Sequence, residues 1–217
     1  MTPRSGIRPT PRLYVLAPMV SDPATLFEDV AEISRTVHVA AVLLRLPDAD
    51  ERSLINWVKA AAAAGVQAAG AALLVDGRPD IVARAGADGA HLSGPGALKA
   101  AVRMLKSNYI AGAGGLRSRH DAMVAAEAGA DYVMFGEPDA SGHHPSREAV
   151  IDRVAWWAEV FEIPCVAYAS ALDGIDALVS TGADFVAVGD ALFEDPRGPG
   201  AAAADAAARL NLTETTA

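Results

Sequence analysis

The sequence has little of what would connect it to an oxidising compartment or to nucleic acid. A single cysteine, Cys165, occurs among 217 residues, so no internal disulfide can form, which fits a cytoplasmic location. Lysine and arginine number 18 against 27 aspartates and glutamates, which gives a net charge of -9. Nucleic acid and anionic lipid bind to clustered cations, so we expect neither partner.

Long hydrophobic runs are also missing. No segment approaches the roughly 20 apolar residues that a membrane-spanning helix needs. Residues 1–11 contain Pro, Arg and Gly where a signal peptide needs an apolar stretch, and we interpret them as a flexible leader. Residues 211–217 have no apolar periodicity and are expected to form a frayed tail. Between this leader and this tail, we expect residues 12–210 to form a single domain.

Aromatic residues are scarce, at 6% of the chain, whereas hydrophobic residues make up 52%. The core must therefore consist mainly of Ala, Val, Leu and Ile, which suits parallel strands buried on both faces. A barrel of eight strands and eight helices needs roughly 200 to 250 residues, and this chain has 217.

A repeated Gly-Ala-Asp phrase supports this architecture. Each copy follows an Ala-rich helical stretch and precedes an apolar run, and the copies begin at Gly86, Gly129 and Gly182. Glycine accepts the left-handed conformation that ends a helix, after which the chain turns into a buried strand. We expect the Ala-Asp pairs only to link helix to strand. The pattern predicts an α/β fold, a (β/α)8 TIM barrel, with strands near 13–17, 39–46, 71–75, 88–92, 109–113, 131–136, 164–168 and 184–189.

Four segments of the chain resemble the thiamine phosphate synthase and thiazole tautomerase superfamily. They are Leu13-Tyr14-Val15, Ala87 to Leu92, Ala128 to Gly136 and Ile163 to Ala167. The resemblance implies a reaction that joins 4-amino-2-methyl-5-hydroxymethylpyrimidine diphosphate to a thiazole phosphate, giving thiamine phosphate and pyrophosphate. It also implies Mg²⁺ and an active site at the C-terminal ends of the strands.

Several family positions carry other residues in this chain. The Gln-x-Arg-x-Lys pattern after strand two keeps only Arg45, and the Asn-Asp-Arg pattern after strand three keeps Asp76 and, one position later, Arg78. The second magnesium carboxylate, after strand four, is Gly96. A single carboxylate holds Mg²⁺ poorly, so the resemblance implies a weakened metal site at Asp76.

The later strand ends depart further from the family pattern. The serine donor after strand five is Gly115, although Arg117 offers a new cation, and the Thr-x-Thr-Lys pattern becomes Ser141 to His144. The Gly-Gly pair after strand seven reads Ala169-Ser170, the family serine after strand eight is Asp190, and the tautomerase histidine is Glu137. The resemblance therefore implies catalytic roles for Arg45, Asp76 and Glu137. It implies substrate contacts for Arg78, Arg117, Ser141, His144, Ser170 and Asp190.

Structural explanations compete with these roles. Arg45 and Asp76 could form a mutual salt bridge that only closes the barrel, and Asp190 could simply cap a helix. His91 is more often a hydrogen-bonded core histidine than a base. Adjacent Trp156 and Trp157 cannot both face the core, which suggests a homodimer contact.

Three hypotheses about function stay open. The first is a divergent thiamine phosphate synthase of reduced or lost activity acting on phosphorylated small molecules. The second is a non-catalytic barrel that binds a thiamine-related ligand or a protein partner. The third is a tautomerase-like isomerase that uses Glu137 or a histidine.

Overall fold

Eight parallel strands close into a barrel in sequence order, and the last strand pairs with the first. The computed structural model describes residues 10–19, 23–106, 108–139 and 141–211. The strands are β1 (Arg12–Leu16), β2 (Val39–Leu44), β3 (Ala72–Asp76), β4 (Gly89–Ser93), β5 (Ile110–Gly114), β6 (Tyr132–Phe135), β7 (Cys165–Ala169) and β8 (Phe185–Val188).

Helices surround this barrel and connect its strands. Those in the described residues are α1 (Pro23–Thr36), α2 (Glu51–Ala63), α3 (Val82–Ala85), α4 (Pro95–Leu105), α5 (Arg119–Ala128), α6 (Arg147–Val160), α7 (Ile175–Val179), α8 (Asp190–Phe193) and α9 (Pro199–Asn211). The predicted (β/α)8 barrel is confirmed. Residues 1–9 of the expected leader and 212–217 of the expected tail lie outside the described residues.

The Gly-Ala-Asp repeats lie at the N-terminal face of the barrel, and their glycines have positive φ angles of 74°, 103° and 84°. The aspartates do more than link helix to strand. Each carboxylate accepts the backbone N–H of a residue at the start of the preceding strand, at 2.7 to 2.8 Å. Each aspartate N–H also donates to the carbonyl of that same residue. The pairs are Asp88 with Leu73, Asp131 with Ala111, and Asp184 with Cys165.

The core has two layers, because successive strand residues point to opposite faces of the sheet. One layer fills the space between strands and helices, and the other fills the barrel interior. Within β1, Leu13 and Val15 face the helices, whereas Tyr14 and Leu16 face the interior. Trp157 is fully buried in the outer layer, and Trp156 is half-buried beside it with the guanidinium of Arg119 over its ring.

Two glycines of β5 create space inside the barrel. A Cβ atom at Gly112 would overlap the ring of Tyr132, and one at Gly114 would overlap the side chains of His91 and Glu137. The three larger side chains fit in the interior because these two positions of β5 have no side chain beyond a hydrogen atom. The glycines thus determine which polar groups reach the barrel mouth.

Replacing Gly112 by alanine should lower the free energy of unfolding by about 1 to 3 kcal/mol, because the Tyr132 ring must shift in a packed interior. The matched variant Gly96→Ala adds its methyl group to open space on α4. It should leave stability unchanged or raise it by about 0.4 to 1 kcal/mol. Urea unfolding monitored by circular dichroism measures both, and equal stability of the two variants would contradict the packing assigned to Gly112.

Candidate active site

A chain of buried polar side chains crosses the barrel interior. The hydroxyl groups of Tyr14 and Tyr132 lie 2.9 Å apart, and the Tyr132 hydroxyl lies 2.8 Å from Nδ1 of His91. His91 is only 4% exposed, and Nε2 on the far side of its ring lies 4.0 Å from Oε1 of Glu137. Burial raises the pKa of both tyrosines and lowers the pKa of His91 to about 4. The imidazole is therefore neutral at pH 7.

These groups form one continuous chain of hydrogen bonds. Either hydroxyl can donate in the Tyr14–Tyr132 pair. Nδ1 of a neutral His91 accepts from Tyr132 in one imidazole tautomer and donates to it in the other, and Nε2 then has the opposite role toward Glu137.

Glu137 follows β6 directly after Gly136, whose φ of 101° turns the chain at this point. Its carboxylate accepts the backbone N–H of Gly115 and is only 14% exposed. Burial raises the pKa of Glu137 from 4.5 to about 7, and the Gly115 N–H and the positive charge of Arg153 offset part of this effect. At neutral pH both protonation states of Glu137 are therefore populated, as general acid–base chemistry requires.

These groups open into a cavity of about 640 Å³ at the C-terminal ends of the strands. That volume lies within the usual range for small-molecule sites. Its polar and charged lining comes from several strand ends and from α6, and consists of Arg45, Asp76, His91, Ser93, Arg117, Glu137, Asp139, His143, Ser146 and Arg153.

Arg45 and Asp76 both line the cavity, but they do not form the mutual salt bridge considered from the sequence. Arg45 Nε donates to the carbonyl of Ala17 at 2.8 Å, and its Nη2 lies 3.2 Å from Oδ1 of Asp190. Burial raises the pKa of Asp76, and the nearby charge of Arg45 offsets part of that shift. Asp190 begins the short helix α8 and is about half exposed.

Of the expected substrate contacts, Arg117 joins the cavity lining, whereas Arg78 and Ser141 are bound to near neighbours in sequence. Nε and Nη2 of Arg78 donate to the carboxylate of Asp80. The Ser141 hydroxyl donates to the carboxylate of Asp139 at 2.6 Å. Neither side chain is part of the cavity wall.

His144 and Ser170 line a second, much smaller pocket between the ends of β6 and β7. The His144 ring stacks on Tyr168 with the ring centroids 5.5 Å apart. Within the described part of the chain, Nδ1 of His144 is buried without a hydrogen-bond partner. The expected substrate contacts are therefore not brought together in one site. Arg117 lines the main cavity, His144 and Ser170 line the second pocket, and the linings of both pockets lack Arg78, Ser141 and Asp190.

Sequence reasoning missed Tyr14, Tyr132 and Arg153. Arg153 lies on α6, where it shares one helix face with Ser146 and Ala149, and all three line the cavity. That spacing of three and four residues places side chains on one face of a helix. Ser146 is the N-cap of α6, so a cation seven residues later on the same helix face was a signal in the sequence. The sequence signal for Tyr14 and Tyr132 was weaker. Inward-facing strand positions are most often apolar, so a tyrosine there is first interpreted as a core residue.

Among the described residues, the mouth has no preformed cage of protein ligands for Mg²⁺. In residues 10–19, 23–106, 108–139 and 141–211, no group of three or more His, Cys, Asp or Glu side chains could hold a metal. Asp76 is the acidic family position that remains, Gly96 offers no second carboxylate, and Arg45 supplies a competing positive charge. A magnesium site at Asp76 stays a prediction from the resemblance.

Comparison with known proteins agrees with this architecture. The thiamine monophosphate synthase family model matches residues 13–192. A thiamine-phosphate synthase of Rhodospirillum centenum is 38% identical over 89% of this chain and 95% of its own length. One from Hyphomonas neptunium is 32% identical over 93% and 95%. The solved thiamine phosphate pyrophosphorylase of Pyrococcus furiosus superposes with a TM-score of 0.78 at 23% identity, covering 94% of this chain and 98% of that one.

The closed parallel barrel with a cavity at its C-terminal mouth defines a class of proteins whose small-molecule sites lie at the ends of the strands. Within that class, the chain belongs to the thiamine phosphate synthase family, since the family model spans most of it and close relatives match over nearly their whole length. The resemblance read from the sequence is confirmed. No helix in the described residues combines the length and apolar character needed to cross a membrane.

The raised pKa of Glu137 should make stability depend on pH. The pKa is about 7 in the folded protein and near 4.5 when the side chain is exposed, so the folded state binds more protons between these values. The contribution of Glu137 to the free energy of unfolding therefore falls as pH rises from 4.5 to 7. Glu137→Gln should gain stability relative to the parent by on the order of 2 kcal/mol between pH 5 and pH 8.

Urea unfolding at the two pH values measures this difference. Glu159→Gln, an exposed position on α6, is the matched control and should show no such gain. A parent-to-variant difference for Glu137→Gln that is the same at pH 5 and pH 8 would contradict the burial assigned to this carboxyl.

Proposed function

We propose that this protein binds the phosphorylated substrates of the thiamine phosphate synthases in its mouth cavity and joins them slowly. The observation that carries the proposal is Asp76, a half-buried carboxylate at a family position that lines a cavity of ligand size. The related synthases of similar length support the substrates, a pyrimidine diphosphate and a thiazole phosphate.

Charge at the cavity wall supports this ligand class. The diphosphate and phosphate groups are anionic, and Arg117 and Arg153 line the cavity. Because the whole chain carries a net charge of -9, these local cations are needed to attract an anionic substrate.

Asp76 would act on the pyrimidine part of the diphosphate substrate. Departure of pyrophosphate leaves positive charge on the pyrimidine methylene group, which the thiazole nitrogen then attacks. A carboxylate held in an enclosed cavity stabilises such developing charge more strongly than one in water. Arg45 keeps Asp76 more ionised than burial alone would allow, and this preserves the negative charge that the step requires.

The slow rate follows from what the site lacks. The second magnesium carboxylate is Gly96 and the serine that would donate to pyrophosphate is Gly115. Donors and cations directed at a leaving group commonly account for factors of about 100 to 1,000 each. We therefore place the rate well below that of a family member with the full pattern.

Pyrophosphate release from the two substrates in the presence of Mg²⁺ tests the proposal. Turnover should be measurable, and Asp76→Ala should reduce it by roughly 100-fold because the developing cation loses its nearest carboxylate. Asp152→Asn, an exposed position on α6, is the control for a lost acidic side chain and should retain full activity.

The same preparation should show a substrate-induced rise in melting temperature. Turnover that survives in Asp76→Ala would overturn the role of Asp76. A thermal shift without turnover would replace the synthase by a non-catalytic ligand-binding barrel, and the absence of both would leave a barrel that acts through a protein partner.

A second candidate function, isomerisation, is favoured by the Glu137–His91 pair. Glu137 has a pKa of about 7 and faces the cavity beside Nε2 of a neutral His91. One carboxylate can remove a proton from carbon and return it elsewhere on the same molecule, as a tautomerase does.

Exchange in deuterium oxide separates this activity from the synthase. Incubation of the thiazole phosphate with the protein should remove carbon-bound proton signals from its NMR spectrum, and Glu137→Gln should abolish the exchange. Equal exchange by parent and variant would rule out Glu137 as the base.

Cytoplasmic location and a homodimer complete the proposal. The single buried cysteine supports a reducing compartment. Trp156 is half-buried and exposes part of its ring on α6, which supports a dimer contact there. The guanidinium of Arg119 lies over the same ring and reduces the apolar surface left for a partner. A monomeric mass in solution scattering would remove the dimer.

A further inference from the structure

We infer that Arg153, together with Arg117, forms the subsite that holds the anionic phosphate group of the ligand, on the β5 and α6 side of the mouth. The inference rests on the proposed function only in taking a phosphorylated ligand as the occupant. Arg153 lies within α6, away from the strand-end positions of the family pattern.

Arg153 is a cation held in the cavity wall with unused donors. It is half-buried on α6, and its Nη1 donates to the carbonyl of Leu116 at 3.3 Å. That one bond to a neutral acceptor fixes the direction of the guanidinium. A guanidinium has five N–H donors in a planar fork that matches phosphate oxygens, so most of its donors stay available to a ligand.

The other arginines near carboxylates differ in this respect. Six arginines of the described residues form ion pairs at 2.5 to 3.4 Å, namely Arg45, Arg78, Arg84, Arg147, Arg197 and Arg209. Arg153 and Arg117 form no ion pair with a described carboxylate, and both line the cavity. The unneutralised positive charge of the mouth is thus concentrated on one side.

On the opposite side of the mouth the cation is already paired. There Arg45 forms an ion pair with Asp190, whose side chain is 49% exposed. The family lysine beside Arg45 is Pro47, which has no charge to offer. Among the described lining residues, the arginines without an ion pair therefore lie on the β5 and α6 side, where Glu137 and Asp139 also line the cavity.

Neutralisation of Glu137 does not account for Arg153. The two are close enough for Arg153 to lower the pKa of Glu137, yet they form no ion pair. Oε1 of Glu137 instead accepts the N–H of Gly115. The Arg153 guanidinium thus keeps its own donors for another anion.

Binding of inorganic pyrophosphate, measured by isothermal titration calorimetry on the full chain, tests this subsite without turnover. Arg153→Met keeps the apolar stem and removes the charge, and should weaken binding roughly 10- to 100-fold. Arg117→Met should also weaken binding, and Arg153→Lys should retain part of it, since the charge stays while the fork is lost. Arg103→Met, on the exposed face of α4, is the matched control and should bind like the parent.

Equal affinity of the parent, Arg153→Met and Arg117→Met would overturn the inference even if the parent is an active synthase. Binding that depends on Arg153 in a parent without turnover would uphold the subsite and reject the synthase. A parent that neither binds pyrophosphate nor turns over would reject both. Circular dichroism melts of each variant establish that a loss of binding is not a loss of folding.

Discussion

The space left by the missing side chains of β5 determines what this barrel can contain. A closed barrel of eight strands has an interior just wide enough for its side chains to fill. The space that a side chain at Gly112 would fill holds the ring of Tyr132, and the space beside Gly114 holds the side chains of His91 and Glu137. The polar chain across the interior and the raised pKa of Glu137 both depend on that exchange of volume between neighbouring strands.

The mouth of the barrel is electrostatically uneven. On the β2 and β8 side, Arg45 and Asp190 neutralise each other, so this side holds the rim closed and offers little net charge to a ligand. On the β5 and α6 side, Arg117 and Arg153 form no ion pair with a described carboxylate. A ligand with one anionic end and one neutral or cationic ring would therefore orient with its anion toward these arginines and its ring toward Asp76.

The fold was readable from the sequence because the Gly-Ala-Asp phrase marks helix ends and strand starts directly, and every predicted strand overlaps an observed one. Arg45, Asp76 and Glu137, which the family resemblance singled out, line one cavity because the ends of parallel strands meet at one rim. Arg78 and Ser141 were placed less well. Each binds an aspartate two residues away in a loop, and such local side-chain bonds are not encoded by strand order.

Positions that differ from the family pattern make new contacts at the mouth. Gly115 has a φ of 62° and directs its N–H to Glu137, and both stand at such positions. Asp190, at another, binds the retained Arg45. His144 is different, because its Nδ1 is buried without a hydrogen-bond partner among the described residues, and such a group is costly. The same barrel thus holds satisfied polar groups at its mouth and an unsatisfied one in the smaller pocket.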